Sequence, residues 1–435
     1  MNKRYPEYKA SGIEWLGEVP EHWTLRKLKY AVTLTKEGAG ERHEDFQIAL
    51  ENIESWTGQF IETDSEYSGS GDAFEEGDIL FNKLRPYLAK VFHAQRAGTP
   101  VGELLVLRPE SDVSSRFLFY RLLSPEFIDV VDGSTYGAKM PRASWDFIGD
   151  LKIPIPPLEE QRTIATYLDR KTEQIDTLIA KKQRLIDLLQ EQRTAVINRA
   201  VTQGLDPDAA MQDSGIEWLG EVPAHWAVTK LKFLSPQVTV GIVVKPSQYY
   251  VEEGVPCLRS LNVKERQLIT DDLIHISPED NEELRKSMLF EGDLVAVRTG
   301  QPGTTAVVDE RFDGANCIDL LIIRNSEKFN SDFMAYVMNS GIAKAQYGEG
   351  SEGAIQQHFN VGTAKDLRVA VPPREEQDGI VKKLDERVES INMIIEREET
   401  LIDMLKELRT SLISEVVTGK IDVRDEVPVQ AEVAA

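Results

Sequence analysis

The sequence predicts an α+β chain: two mixed α/β domains joined by two long antiparallel coiled-coil helices, with an internal pseudo-two-fold repeat. Three observations predict it. The string SGIEWLGEVPEHW from Ser11 returns as SGIEWLGEVPAHW from Ser214. Short apolar runs bounded by Gly, Asn, Asp and Pro follow each copy, as buried strands do. Each copy then closes on a long stretch nearly free of Pro and Gly that carries an apolar heptad.

The repeat runs through the chain in order. EGDIL at Glu76 matches EGDLV at Glu291, and ELLVLRP at Glu103 matches DLLIIRN at Asp319. FLFYRLLS at Phe117 matches FMAYVMNS at Phe333, IPIPPLEEQ at Ile153 matches VAVPPREEQ at Val369, and RTAVINRAVTQGLD at Arg193 matches RTSLISEVVTGKID at Arg409. The offset is 203 for the opening string, 215 at Glu76 and 216 from Glu103 onward, so about a dozen residues enter early in the second copy. A period this long is a domain duplication and not a solenoid of short repeats.

Taken in order, residues 1–156 predict the first mixed domain, with DILF and LLVL as buried strands. Residues 157–205 predict the first long helix. Pro157 suits a first turn, Glu159 and Glu160 suit the positive end of the helix dipole, and Gly204 sits where a C-terminal cap belongs. Stepping by four and three from Ile164 meets Leu168, Lys171, Ile175, Leu178, Lys182, Leu185, Leu189, Gln192 and Val196, seven of ten apolar. Residues 206–372 predict the second domain, and 373–420 the second helix, opened by PPREEQ and closed by Gly419. Its walk meets Ile380, Leu384, Arg387, Ile391, Ile394, Glu398, Leu401, Leu405, Leu408 and Leu412, eight of ten apolar. Seams sustained this long predict coiled-coil pairing, and antiparallel pairing puts each helix end at a different domain. Residues 421–435 predict a flexible tail.

Composition excludes several classes. The net charge is −23, and the two domains carry 18 basic against 25 acidic and 15 against 25 groups, so neither is a basic nucleic-acid footprint by itself. Two cysteines, Cys257 and Cys317, make no disulfide framework and predict a reducing, cytoplasmic setting. No apolar run approaches a membrane span. The histidines lack metal-ligand spacing, so no metal is predicted. No phosphate-binding G-x-x-x-x-G-K-[ST] loop, methyltransferase N/D-P-P-Y/F string or nuclease P-D…E-x-K pattern occurs, so no catalytic site and no cofactor of the chain's own is expected.

SGIEWLGEVPEHW, GDILFNKLRPYLAKV, STYGAKMPRASWDFIGDLKIPIPPLEEQRTIA and, in the second copy, IQQHFNVGTAKDLRVAVPPREEQ resemble the specificity (S) subunit of type I restriction–modification enzymes across nearly the whole chain. The resemblance implies two target recognition domains that each read one half of a split double-stranded DNA site, joined by conserved helices. It implies two adenine-methyltransferase (M) subunits and restriction/translocase (R) subunits as partners, with S-adenosylmethionine and ATP bound there. The copies agree at domain edges and along the helices, and disagree mid-domain: NKLRPYLAKV at Asn82 faces VRTGQPGTTA at Val297, and STYGAKMPRASW at Ser134 faces GSEGAIQQHFNV at Gly350. Unlike readers imply an asymmetric target. A stand-alone bipartite DNA-binding protein of repressor type and a coiled-coil scaffold that binds no nucleic acid are the other readings.

Base readout uses Arg or Lys for guanine and Asn or Gln for adenine. The divergent loops supply Asn82, Lys83, Arg85, Tyr87, Tyr136, Lys139 and Arg142 in the first domain. In the second they supply Arg298, Thr299, Gln301, Gln356, Gln357 and His358. Lys83 and Arg298 align, which suggests a shared phosphate contact. Trp15, Trp23, Trp218 and Trp226, with His22 and His225, recur in both copies and are read as packing residues.

Overall fold

The computed structural model describes residues 3–35, 46–64, 73–137, 139–349 and 359–426. The chain divides into two compact units: Met1–Gln183 with Glu399–Ala435, and Arg184–Glu398. Each unit therefore holds one domain and a part of both long helices.

In the first unit, β1 (Tyr8–Ala10) and β2 (Glu18–Pro20) make an antiparallel hairpin, so the repeated SGIEWLG string is its connecting turn. There follow β3 (Thr24–Lys27), β4 (Val32–Leu34), β5 (Ile79–Asn82), β6 (Val91–His93) and β7 (Leu104–Pro109). Helices α1 (Ser115–Leu123), α2 (Pro125–Gly133) and α3 (Trp145–Asp150), strand β8 (Lys152–Ile155) and helix α4 (Leu158–Gln203) complete the copy. The central sheet is antiparallel, in the order β4-β7-β5-β6, with Ile79 opposite Leu107 and Phe81 opposite Leu105. It is covered on both faces. Ile79, Phe81, Leu105 and Leu107 share a core with Phe117, Leu118 and Leu122 of α1, while Leu80, Phe92 and Val106 face a smaller cluster with Ile48, Ile53 and Phe74. Burial on both faces is why DILF and LLVL read as unbroken apolar runs without alternation. Strand β8 pairs with β3, Ile155 opposite Thr24, so the end of the domain returns to its beginning just before α4.

The second unit repeats the plan. Its elements are β9 (Met211–Asp213), β10 (Glu221–Pro223), β11 (Ala227–Lys230), β12 (Val238–Val240), β13 (Leu294–Val297), β14 (Thr305–Val307) and β15 (Leu320–Ile323). Then come α5 (Ser331–Asn339), α6 (Gly341–Glu349), α7 (Val361–Asp366), β16 (Arg368–Val371) and α8 (Arg374–Val417). The sheet order β12-β15-β13-β14 reproduces the first, and β16 pairs with β11 as β8 does with β3. The residues added early in this copy fall in a region that builds a second sheet from strands at 250–251, 255–258, 274–276 and 316–317.

The long helices, 46 and 44 residues, are antiparallel within each unit. In the first unit Ile164 and Leu168 of α4 share a core with Ile413, Val416 and Val417 of α8; in the second, Ala200 and Val201 share one with Ile380 and Leu384. Arg409 bonds Asp176 at 2.9 Å in the first unit, and Arg193 bonds Asn392 at 3.0 Å in the second. The two pairs keep one register, 17 residues apart on each helix (176 to 193, 392 to 409).

The seam departs from the predicted walk at every second step in its middle. Leu178 and Leu185 are 43% and 41% exposed, whereas Ile179 is half-buried and Ile186 buried. In α8, Ile394 and Leu408 are exposed, while Ile395, Ile402 and Arg409 are buried. The cause is an additional step of four: from Leu168 the buried stripe passes through Thr172, whose hydroxyl donates to the Leu168 carbonyl at 2.8 Å, before reaching Ile175. A straight helix with 3.6 residues per turn needs such a step to hold its partner. The expected flexible tail also differs at its start, since Ile421 and Val423 are buried in the first unit's core and the Asp422 amide donates to the Lys3 carbonyl at 2.8 Å. Of that tail, 427–435 lie outside the described residues.

Candidate nucleic-acid interface

The repeated tryptophan, histidine and EEQ strings are one joint. In the first unit the Trp23 indole N–H donates to Glu160 Oε1 at 3.0 Å, and His22 lies 2.7 Å from Oε2. In the second, Trp226 donates to Glu376 Oε1 at 3.0 Å and His225 lies 2.8 Å from Oε2. The next residue ties the helix to its domain. Gln161 accepts from the Ser114 amide at 2.7 Å, just ahead of α1, and Gln377 accepts from the Asn330 amide at 2.7 Å, just ahead of α5. Glu160 thus does more than suit the helix dipole: it accepts two side-chain bonds while 8% exposed. These residues fix each domain on its helix and leave the far ends of the central sheets to carry the variable loops.

In the first unit the two divergent strings come together. The β5–β6 connection, 83–90, lies against 139–143: the Arg85 amide donates to the Pro141 carbonyl at 2.8 Å, and the Ala143 amide to the Lys83 carbonyl at 2.9 Å. Arg142 bridges to both Leu84 and Tyr136. Arg85, with φ +52°, and Ala89, with φ +47°, bend the connection through left-handed conformations. The turn presents Tyr87 (48% exposed), Tyr136 (65%) and Met140 (50%), with Arg85 and Lys139 exposed beside them.

Three candidates are placed otherwise than exposed loop readers. Asn82 is 2% exposed and spends its side chain on its own turn, accepting from the Leu84 amide at 2.9 Å and donating to the Leu84 carbonyl. Its buried amide satisfies backbone groups that would otherwise be orphaned. Lys83 and Arg142 both hold Glu103, with N–O distances of 3.2 and 2.9 Å. Burial raises the Glu103 pKa, but the two cations outweigh it and hold the carboxyl below the ordinary glutamate range.

In the second unit the β13–β14 connection, 298–304, occupies the corresponding place. The Phe359 amide donates to the Arg298 carbonyl at 3.0 Å, as Ala143 does to Lys83. Arg298 pairs with Asp319, which aligns with Glu103. Thr299 is half-buried and Gln301 exposed. Gly303 has φ +85°, and a Cβ there would stand 2.0 Å from the Tyr347 ring, so glycine alone permits this packing. Gln356, Gln357 and His358 lie outside the described residues.

Sequence reasoning missed Glu103 and Asp319. The signal was available: an acidic residue opens the same repeated strand in both copies, ELLVLRP and DLLIIRN. Among the described residues no group of three or more His, Cys, Asp or Glu could hold a metal, and no helix is long and apolar enough to cross a membrane.

The family described as type I restriction modification DNA specificity domain matches residues 40–187. The putative type I restriction enzyme MjaX specificity subunit of Methanocaldococcus jannaschii is 26% identical over 439 residues, spanning 94% of this chain and 96% of that protein. The MjaVIII specificity subunit of the same organism is 26% identical over 71% of each chain. The EcoKI specificity subunit of Escherichia coli K12 is 30% identical over 44% of this chain and 39% of its own. In fold, a solved chain from work on complex assembly and conformational transition of the type I R-M system superposes with a TM-score of 0.73 at 17% identity, covering 92% of this chain and 98% of that one. The HsdS subunit from Thermoanaerobacter tengcongensis superposes with a TM-score of 0.52 at 16% identity, covering 93% and 98%.

Proposed function

Because this chain is a homologue of the type I restriction-enzyme specificity subunits, we propose that it is the DNA-reading, non-catalytic subunit of such an enzyme, with one domain for each half of an asymmetric bipartite site. One observation carries the reading. The two domains share sheet order, helix joint and the bond that hangs the second loop from the first (Ala143 to Lys83, Phe359 to Arg298), yet the loops held by that frame differ. A constant frame with unlike polar loops is what two readers of different sequences require.

On this reading residues 1–156 and 206–372 are the recognition domains, and the helices of 157–205 and 373–420 receive two methyltransferase subunits, with restriction/translocase subunits joining for cleavage. S-adenosylmethionine and ATP belong to those partners. Both domains are net acidic, so the partners supply much of the basic surface that phosphate binding needs. The test is the host methylome with and without this gene, beside a gel shift of the chain alone and with its methyltransferase subunits. Loss of one bipartite adenine-methylation motif, and much tighter binding in the complex, are expected. An unchanged methylome overturns the reading. Tight specific binding by the chain alone favours a stand-alone repressor.

A further inference from the structure

Lys83 and Arg298 occupy the same place in the two domains, at the exit of the central hairpin strand, and each is held by an acidic residue from the neighbouring strand's start. These acidic partners also align, at an offset of 216. The rest of the two loops has diverged, so the retained feature is the opposition of one cation and one carboxylate. In the first unit the carboxylate takes a second cation, with Arg142 Nε 3.1 Å from Glu103 Oε1. Glu103 and Asp319 are partly exposed, at 29% and 46% of the side chain, on the loop-bearing edge, where packing alone does not demand a charge.

We propose that Glu103 and Asp319 are specificity-determining positioning residues that hold the loop cations away from the phosphates of non-cognate DNA. The inference rests on the DNA-reading function above. A free Lys or Arg releases counterions from any duplex it meets, whatever the sequence. Held by Glu103, the pair Lys83 and Arg142 presents one net positive charge instead of two, and Arg298 with Asp319 presents none. An incoming phosphate must displace a carboxylate that also repels it. Off-site affinity is thereby kept low, and the cations are released only where base contacts by the surrounding loop offset the broken ion pair.

The experiment measures binding of the full chain, complexed with its methyltransferase subunits, to a non-cognate duplex over a range of salt. Glu103→Gln and Asp319→Asn should each tighten off-site binding and steepen the log–log salt dependence by about 1, one for each opposing charge removed. Glu103→Asp, which keeps the charge, should stay near wild type. The methylome of each variant should show relaxed bases only in the half-site of the altered domain. A carboxylate needed merely for folding would weaken binding to all DNA and would not steepen the slope. Unchanged or shallower slopes in variants that still methylate their motif overturn the inference and leave the DNA-reading function standing. A wild-type complex that neither binds DNA nor methylates a motif removes that function, and the inference with it. If Glu103→Gln does not fold, Asp319→Asn in the other unit decides.

Discussion

Arg409 reaches Asp176 through its Nε at 2.9 Å and the Trp56 carbonyl through its Nη1 at 2.9 Å, with 7% of its side chain exposed. One guanidinium thus joins the two helices and a loop of the first domain. Its counterpart Arg193 donates to the neutral Asn392, stands 4.0 Å from the half-exposed Glu265 carboxylate and is 33% exposed. Arg409→Ala should therefore cost on the order of 2–3 kcal/mol, because it takes the cation from a partly buried carboxylate, leaving it the Gln59 amide at 3.3 Å, and the donor from a backbone carbonyl. Arg193→Ala should cost less than about 1 kcal/mol. Hydrogen exchange along α4 reads the contrast: protection should fall in 158–183 for the first variant and change little in 184–203 for the second.

Gly303 and Gly300 share a hairpin and a positive φ, +85° and +87°, but only Gly303 faces a ring where a Cβ would go. Gly300→Ala should cost about 1 kcal/mol from backbone strain alone. Gly303→Ala must also displace Tyr347, which is buried and donates to the Met338 carbonyl at 3.0 Å, and should cost several-fold more. In the host methylome, Gly303→Ala should erase or blur one half-site and leave the other readable.

The helix pair should act as a ruler whose two sides must be cut to the same length. With 17 residues between the paired positions on each helix, four residues inserted after Gln190 alone throw one of the two registers off. A matching insertion between Ile394 and Ile395 restores both. The double insertion adds about 6 Å of helix. At roughly 3.4 Å per base pair, it should lengthen the unread gap of the methylated motif by up to two base pairs. The half-sites should survive. An unchanged gap in an active double insertion, or equal behaviour of the single one, would count against the ruler.

His93 supplies a pH dependence. Burial, with Arg116 nearby, lowers its pKa to about 4, and its ring lies 3.0 Å from the Ser115 hydroxyl. Between the ordinary value near 6.5 and about 4 the unfolded chain takes up a proton that the folded domain refuses. Acid therefore destabilises the first domain over that window and adds nothing further below it. His93→Gln should flatten the difference between melting curves taken at pH 7 and pH 5.

Much of this was legible in the sequence, because a duplication prints the same structural demands twice. The strands, the two helices, and the packing role of Trp23 and Trp226 all follow from strings that recur. What escaped was geometry that strings do not carry. A walk of alternating fours and threes from Ile164 drifts off the seam because the helix has 3.6 residues per turn, and Thr172 gave no apolar sign that it belonged there. Asn82 looked like a reader because its amide could face a base or its own turn, and composition does not distinguish the two. Glu103 sits 20 residues from Lys83 and 39 from Arg142, so only the folded sheet shows them as one cluster.

The first unit closes its core with Ile413, Val416, Val417, Ile421 and Val423, which follow the whole of the second unit in sequence. The ribosome therefore makes the first domain long before it can finish it, and finishes it only after the second domain has already emerged. Long-range contacts of this kind slow folding and leave apolar surface waiting. The order of synthesis and the order of completion are inverted. A premature stop near residue 405 would spare the domain made most recently and injure the one made first.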